Sequence, residues 1–244
     1  MTFGAKLKFI LNIELFAILL KGLLNRFKCN NIVRATESYS EKEELLNWVS
    51  HGLAALASLA GIIVMLCKIS PASHTNKWIS LGIYSFSLVT LYSASTIYHF
   101  VRSARWKNIF RIVDHAAIYI KIAGTYTPFL LLALKDSYGW ELFIGMWTLV
   151  VAGIIFKLFF VDRYNLLSTG IYLAMGWLAV FLLVPLYQVL SEEVLICLLA
   201  GGICFTAGVG FYLWKKLPFA HPIWHVFVIG GSAFHFAGIY WYVT

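Results

Sequence analysis

The sequence predicts an all-α membrane protein, a seven-transmembrane helix bundle, and three observations carry that expectation. Of 244 residues 61% are apolar and only 12% charged, and the mean hydropathy is +0.80, far outside the range of a soluble globular domain. The apolar residues fall into runs of about 17–25, the length that crosses a bilayer as a helix. Basic residues gather in alternate loops, as expected of a polytopic protein.

Seven spans are expected, at about Leu45–Cys67, Trp78–Val101, Ile109–Leu134, Trp140–Phe160, Leu166–Tyr187, Val194–Trp214 and Pro222–Val243. Short connections between them argue for one domain, residues 43–244. Residues 1–42 form a separate N-terminal segment. Its stretch FILNIELFAILLKGLL, residues 9 to 24, is interrupted by Glu14 and Lys21 and is followed by no small-residue cleavage site. An interfacial helix held by its apolar face and by lysines near anionic headgroups fits better than an eighth span.

Lys6, Lys8, Lys21, Arg26, Lys28, Arg34 and Lys42 precede the first span, and the loops after the second, fourth and sixth spans are also basic. The opposite side carries only Lys68, Lys77 and Lys135. The N-terminus is therefore expected in the cytoplasm and the C-terminus outside. That placement accounts for the net charge of +8 without a nucleic-acid partner. Cys29, Cys67, Cys197 and Cys204 form no CxxC pair and read as small apolar side chains. The 17% aromatic content suits rings at the bilayer interface.

Ionisable groups inside spans are costly, so each is a functional candidate. Ser95 and His99 end the second span, Asp114 lies early in the third, and His221 and His225 open the seventh, so all five share the cytoplasmic level. Residues four apart on a helix share a face about 6 Å along the axis, so His221 and His225 can hold one ion. His235 lies roughly 15 Å deeper and cannot join them. Three neutral imidazoles, His99, His221 and His225, would give Zn²⁺ a set with an open fourth position for water, as catalytic zinc sites have. Asp114 would then orient that water and accept its proton, with Ser95 as a supporting hydroxyl. A proton relay of His and Asp without metal is the alternative.

At these residues the sequence resembles the haemolysin III family, the bacterial branch of the progestin and adipoQ receptor (PAQR) superfamily. The resemblance covers roughly Glu43 to Tyr242 and rests on NWVSHG, ASTIYH, DHAAIY with Asp114, AGTYTPF, YLAMGW, and HPIWH followed by HF. It implies a seven-helix protein of the cell membrane with zinc on His99, His221 and His225, and with Asp114 beside the ion's water. Some eukaryotic relatives are linked to ceramide hydrolysis, and alkaline ceramidases share the Ser, Asp and His pattern. By that analogy the chain would hydrolyse a lipid amide or ester.

Other polar residues carry less specific expectations. His51 is a packing residue or a donor that fixes a ligand, and Lys121, about 10 Å past Asp114 along its helix, points into the bundle or a wet cavity as a substrate or polar-network residue. Lys157 is expected to snorkel to the interface. Pro128 and Pro185 are expected to kink or end their helices. Three functional classes follow: a zinc-dependent lipid hydrolase, a membrane-active cytolysin or pore, and a protein whose zinc is structural. A membrane lipid is the expected substrate or ligand; protein partners are not legible.

Overall fold

The computed structural model describes residues 39–161 and 164–244. The interfacial helix expected within residues 1–42 falls mostly outside the described residues. Among the described residues seven long helices follow one another: α1 (Glu41–Lys68), α2 (Thr75–Phe100), α3 (Ala104–Ala133), α4 (Gly139–Phe160), α5 (Asn165–Tyr187), α6 (Glu192–Leu213) and α7 (Ala220–Val243). Six are long and apolar enough to cross a membrane, the exception being α2. Its sequence is punctuated by serine, threonine, tyrosine and histidine, which lowers its hydropathy while its length remains that of a span.

The helices begin and break where local chemistry requires. α1 starts at Glu41, four residues before the apolar run, because Ser40 and Glu43 form a reciprocal capping box. The Glu43 N–H donates to Ser40 Oγ at 3.2 Å and the Ser40 N–H to Glu43 Oε2 at 2.9 Å, satisfying two otherwise orphaned donors. Pro128 has no N–H to continue the ladder, and α3 relaxes into a π turn over Phe129–Ala133. α5 narrows to a 3₁₀ turn at Leu178–Leu182, ahead of Pro185. There the Tyr126 hydroxyl from α3 donates to Gly176 O and accepts the Ala179 N–H, both at 2.7 Å. Backbone groups at membrane depth need such partners.

α1 packs between α2 and α7, α2 against α3, α3 against α4, and α7 against α6; α5 makes thinner contacts with α3 and α6. α3 is central, with 67% of its apolar window buried. Small residues set the closest approaches, as in other membrane bundles. A β-carbon at Gly124 would run into Ser87 of α2, one at Gly153 into the Tyr119 ring, and one at Gly201 into the His235 ring. Hydroxyls inside the bundle fold back onto their own helices, Ser87 to Tyr84 O and Thr96 to Tyr92 O at 2.7 Å.

One expectation fails here. Lys157 does not snorkel: it is 2% exposed, donates to Ser168 Oγ of α5 at 2.8 Å and lies over the Tyr172 ring. Depth alone suggested an interfacial amine, but the rotation of α4 turns this side chain inward, where a hydroxyl and a ring face receive it.

Candidate metal centre

The C-terminal end of α2 and the N-terminal ends of α1, α3 and α7 supply the polar residues of one site. His99 comes from the last turn of α2, and His221 and His225 from the first two turns of α7. Phe219 precedes α7 in a left-handed conformation (φ 58°), and its N–H donates to Glu43 Oε1 at 3.1 Å, which ties the start of α7 to α1. Each of the three histidines offers one ring nitrogen, and these nitrogens all lie within 4.8 Å of one another. His99 Nε2 and His221 Nε2 are 3.2 Å apart. Ligands at the usual Zn–N length of 2.0–2.1 Å around a tetrahedral ion stand about 3.3 Å apart.

For His99 and His225 the opposite ring nitrogen fixes which lone pair faces inward. Glu44 Oε2 lies 2.7 Å from His99 Nδ1; an ionised carboxylate only accepts, so Nδ1 carries the proton and Nε2 the lone pair. Lys107 holds the other Glu44 oxygen at 2.5 Å. Ser50 Oγ donates to Asn47 O at 3.0 Å and therefore accepts from His225 Nδ1 at 3.2 Å. His225 Nε2 is left buried with no hydrogen-bond partner. Tyr39 OH meets His221 Nδ1 at 3.0 Å. His99 Nε2 and His221 Nε2 face each other across 3.2 Å, a gap that either one proton or a shared cation can bridge, and the orphaned third nitrogen on His225 favours a cation. The donor set thus fits a metal ion.

Asp114 and His221 line one partly open cavity of about 140 Å³ walled chiefly by α3, α5, α6 and α7, with His51, Leu91 and Lys157 added from α1, α2 and α4. The Ser95 hydroxyl faces the Asp114 carboxyl near enough to interact with it but outside hydrogen-bond geometry. His51 stacks on His225 with ring centroids 3.5 Å apart and planes 7° from parallel, and both of its ring nitrogens are buried without a hydrogen-bond partner. Lys121 lines the same cavity away from the three histidines, together with His235. Glu44, Ser50 and Tyr39 escaped sequence reasoning. Ser50 lies within the NWVSHG stretch, and Glu44 is three residues before Asn47; both spacings hint at one helix face.

Residues 39–236 match the family model described as Haemolysin-III related. The chain is 44% identical over 202 residues to Hemolysin-3 of Bacillus cereus, covering 83% of this chain and 92% of the relative. It belongs to the haemolysin-III family. The Hemolysin-3 homolog of Bacillus subtilis is likewise 44% identical, over 84% of this chain and 96% of that protein. The human Monocyte to macrophage differentiation factor is 28% identical over 68% of this chain and 71% of its own, in keeping with the PAQR link. As a haemolysin-III protein with six apolar helices of spanning length, the chain is a multi-pass protein of the cell membrane.

Proposed function

We propose that this haemolysin-III protein is a zinc-dependent hydrolase of a lipid amide or ester, with His99, His221 and His225 as metal ligands. The observation that carries it is the convergence of three imidazole nitrogens, each backed by a partner on the opposite ring nitrogen, beside a cavity that also holds a buried carboxylate. Three imidazoles suit Zn²⁺, and a three-ligand set leaves a coordination position open, the pattern of catalytic and not structural zinc sites. Zinc, when bound, supplies a Lewis acid that makes water nucleophilic near neutral pH.

The remaining roles belong to the chain. Asp114 accepts the proton of the attacking water and returns it to the leaving nitrogen or oxygen, as a positioned carboxylate does. Ser95 places a hydroxyl next to that carboxylate and donates to the carbonyl oxygen as charge gathers there. The cavity wall is largely apolar, with Leu91, Ile118, Ile122, Leu173 and Val228 among its residues. It suits an acyl chain.

Purified protein is expected to hold about one zinc per chain, read by elemental analysis, and His225→Ala to lose it. Asp114→Asn is expected to keep the zinc while turnover of a lipid amide or ester falls by about 10²–10⁴-fold. Zinc retained with no turnover by the wild type across a broad lipid panel would make the ion structural. The Bacillus relatives are named for haemolysis. Dye release from liposomes that persists in His225→Ala would favour a cytolysin here over a hydrolase.

A further inference from the structure

Lys121 is the charged group for which the metal centre has no use. It lies two turns beyond Asp114 on α3, about 10 Å farther along the axis, is 4% exposed and lines the cavity. Its ammonium donates to Thr125 Oγ1 at 2.6 Å and lies 5.5 Å from the Tyr84 ring centre and 5.9 Å from that of Phe205. One hydroxyl and two ring faces do not replace the anion that a buried ammonium requires. Asp114 is the one acidic residue among the described residues lining this cavity, and it belongs to the other end. The cavity's second amine, Lys157, is already engaged by Ser168.

A second buried group completes the deep end. His235 of α7 lines the same cavity and packs against Phe205, the ring over which the Lys121 amine also lies. Its Nε2–H donates to Leu198 O at 3.1 Å, so Nδ1 carries a lone pair, and that atom is buried without a partner. The ring is seated in the space left by Gly201 and against Phe205, so it does not turn away to find one. A mostly apolar cavity with one buried amine that has no anionic partner and one unfilled acceptor calls for a ligand with an apolar body and a singly charged head that carries or recruits an O–H.

We propose that Lys121 and His235 form an anion subsite, distinct from the metal centre, that takes the carboxylate head of a single-chain amphiphile. The subsite goes beyond hydrolysis at the three histidines and does not rest on it. Lys121 binds a carboxylate oxygen directly, and His235 Nδ1 accepts from a water or hydroxyl beside the head. The chain lies along the apolar wall, where Trp177 and Trp224 also line the cavity.

Those tryptophans provide the measurement. Quenching of the intact protein, in neutral detergent, is titrated with 9,10-dibromostearate and with its methyl ester. The wild type is expected to prefer the carboxylate by about tenfold or more, the scale of a hydrogen bond to a charged group. Lys121→Met is expected to bind both alike, and Lys121→Gln, which keeps a donor but not the charge, to lose the preference too. Helical content and zinc content of each variant establish that the bundle is intact. Stripping the metal with a chelator is expected to leave the wild-type preference in place, whatever becomes of turnover. Equal binding of acid and ester by the wild type overturns the subsite, as does a preference that survives both substitutions. A preference that disappears with the metal places the head at the three histidines and overturns it equally.

Discussion

At the scale of single residues, the question is what turns three histidines into one donor set. The i, i+4 spacing of His221 and His225 and the shared depth of His99 were legible in the sequence, because both follow from helix rise and span counting. The residues behind them were not. Glu44, Ser50 and Tyr39 reach their imidazoles only because α1 is rotated to face both α2 and α7, and no spacing within one helix reports a rotation between helices. The same missing rotation explains Lys157. Outer hydrogen-bond partners hold a ligand ring in the correct tautomer and raise its basicity. Glu44→Gln is therefore expected to weaken zinc binding by about 10–100-fold, measured by competition with a chromogenic chelator. Such an effect requires no change in helix content, and an unchanged affinity would show that the carboxylate leaves the His99 ring as it finds it.

At the scale of elements, the interrupted helices shape the cavity. The apolar runs foretold where the helices lie to within a few residues, and Pro128 foretold a disturbance near the end of α3. The earlier start of α1 was also written in the chain, as the Ser40 to Glu43 spacing, but a window that looks for apolar residues passes over a cap. The 3₁₀ turn in α5 was harder to read, since Leu178–Leu182 is a continuous apolar run and Pro185 follows it. What holds that turn is a single side chain from another helix, Tyr126, bonded to both Gly176 O and the Ala179 N–H. Gly176 and Trp177, at the start of the break, line the cavity with Tyr126. Tyr126→Phe removes both bonds and leaves a backbone donor and acceptor without their partner, at a cost of about 1–3 kcal/mol for each buried group left unsatisfied. The expected result is a lower midpoint in denaturant with zinc content unchanged. Loss of zinc in this variant would mean that the α5 break supports the metal centre as well.

At the scale of the whole molecule, the three histidines link helices that otherwise share little. α1 packs against both α2 and α7, whereas α2 and α7 are not among the closely packed pairs; a long bond from Tyr92 OH to Val228 O, at 3.4 Å, is one of their few direct links. An ion on His99, His221 and His225 would tie the second helix to the last across the end of α1, far apart in sequence and next to each other only in the folded bundle. Such an ion binds the folded chain and not the unfolded one, so it stabilises by RT ln(1 + [L]/Kd), about 2.7 kcal/mol when the free metal is a hundredfold above Kd. Thermal unfolding of the detergent-solubilised protein is therefore expected to move upward with added zinc and downward with chelator. His225→Ala is expected to abolish that dependence, and Asp114→Asn, which leaves the three imidazoles in place, to retain it. The pair separates binding from chemistry, because a carboxylate needed only for proton transfer alters turnover without altering the metal-dependent shift. A melting temperature indifferent to zinc in the wild type would remove the ion from the fold, and with it the account of why imidazoles from the second and seventh helices meet.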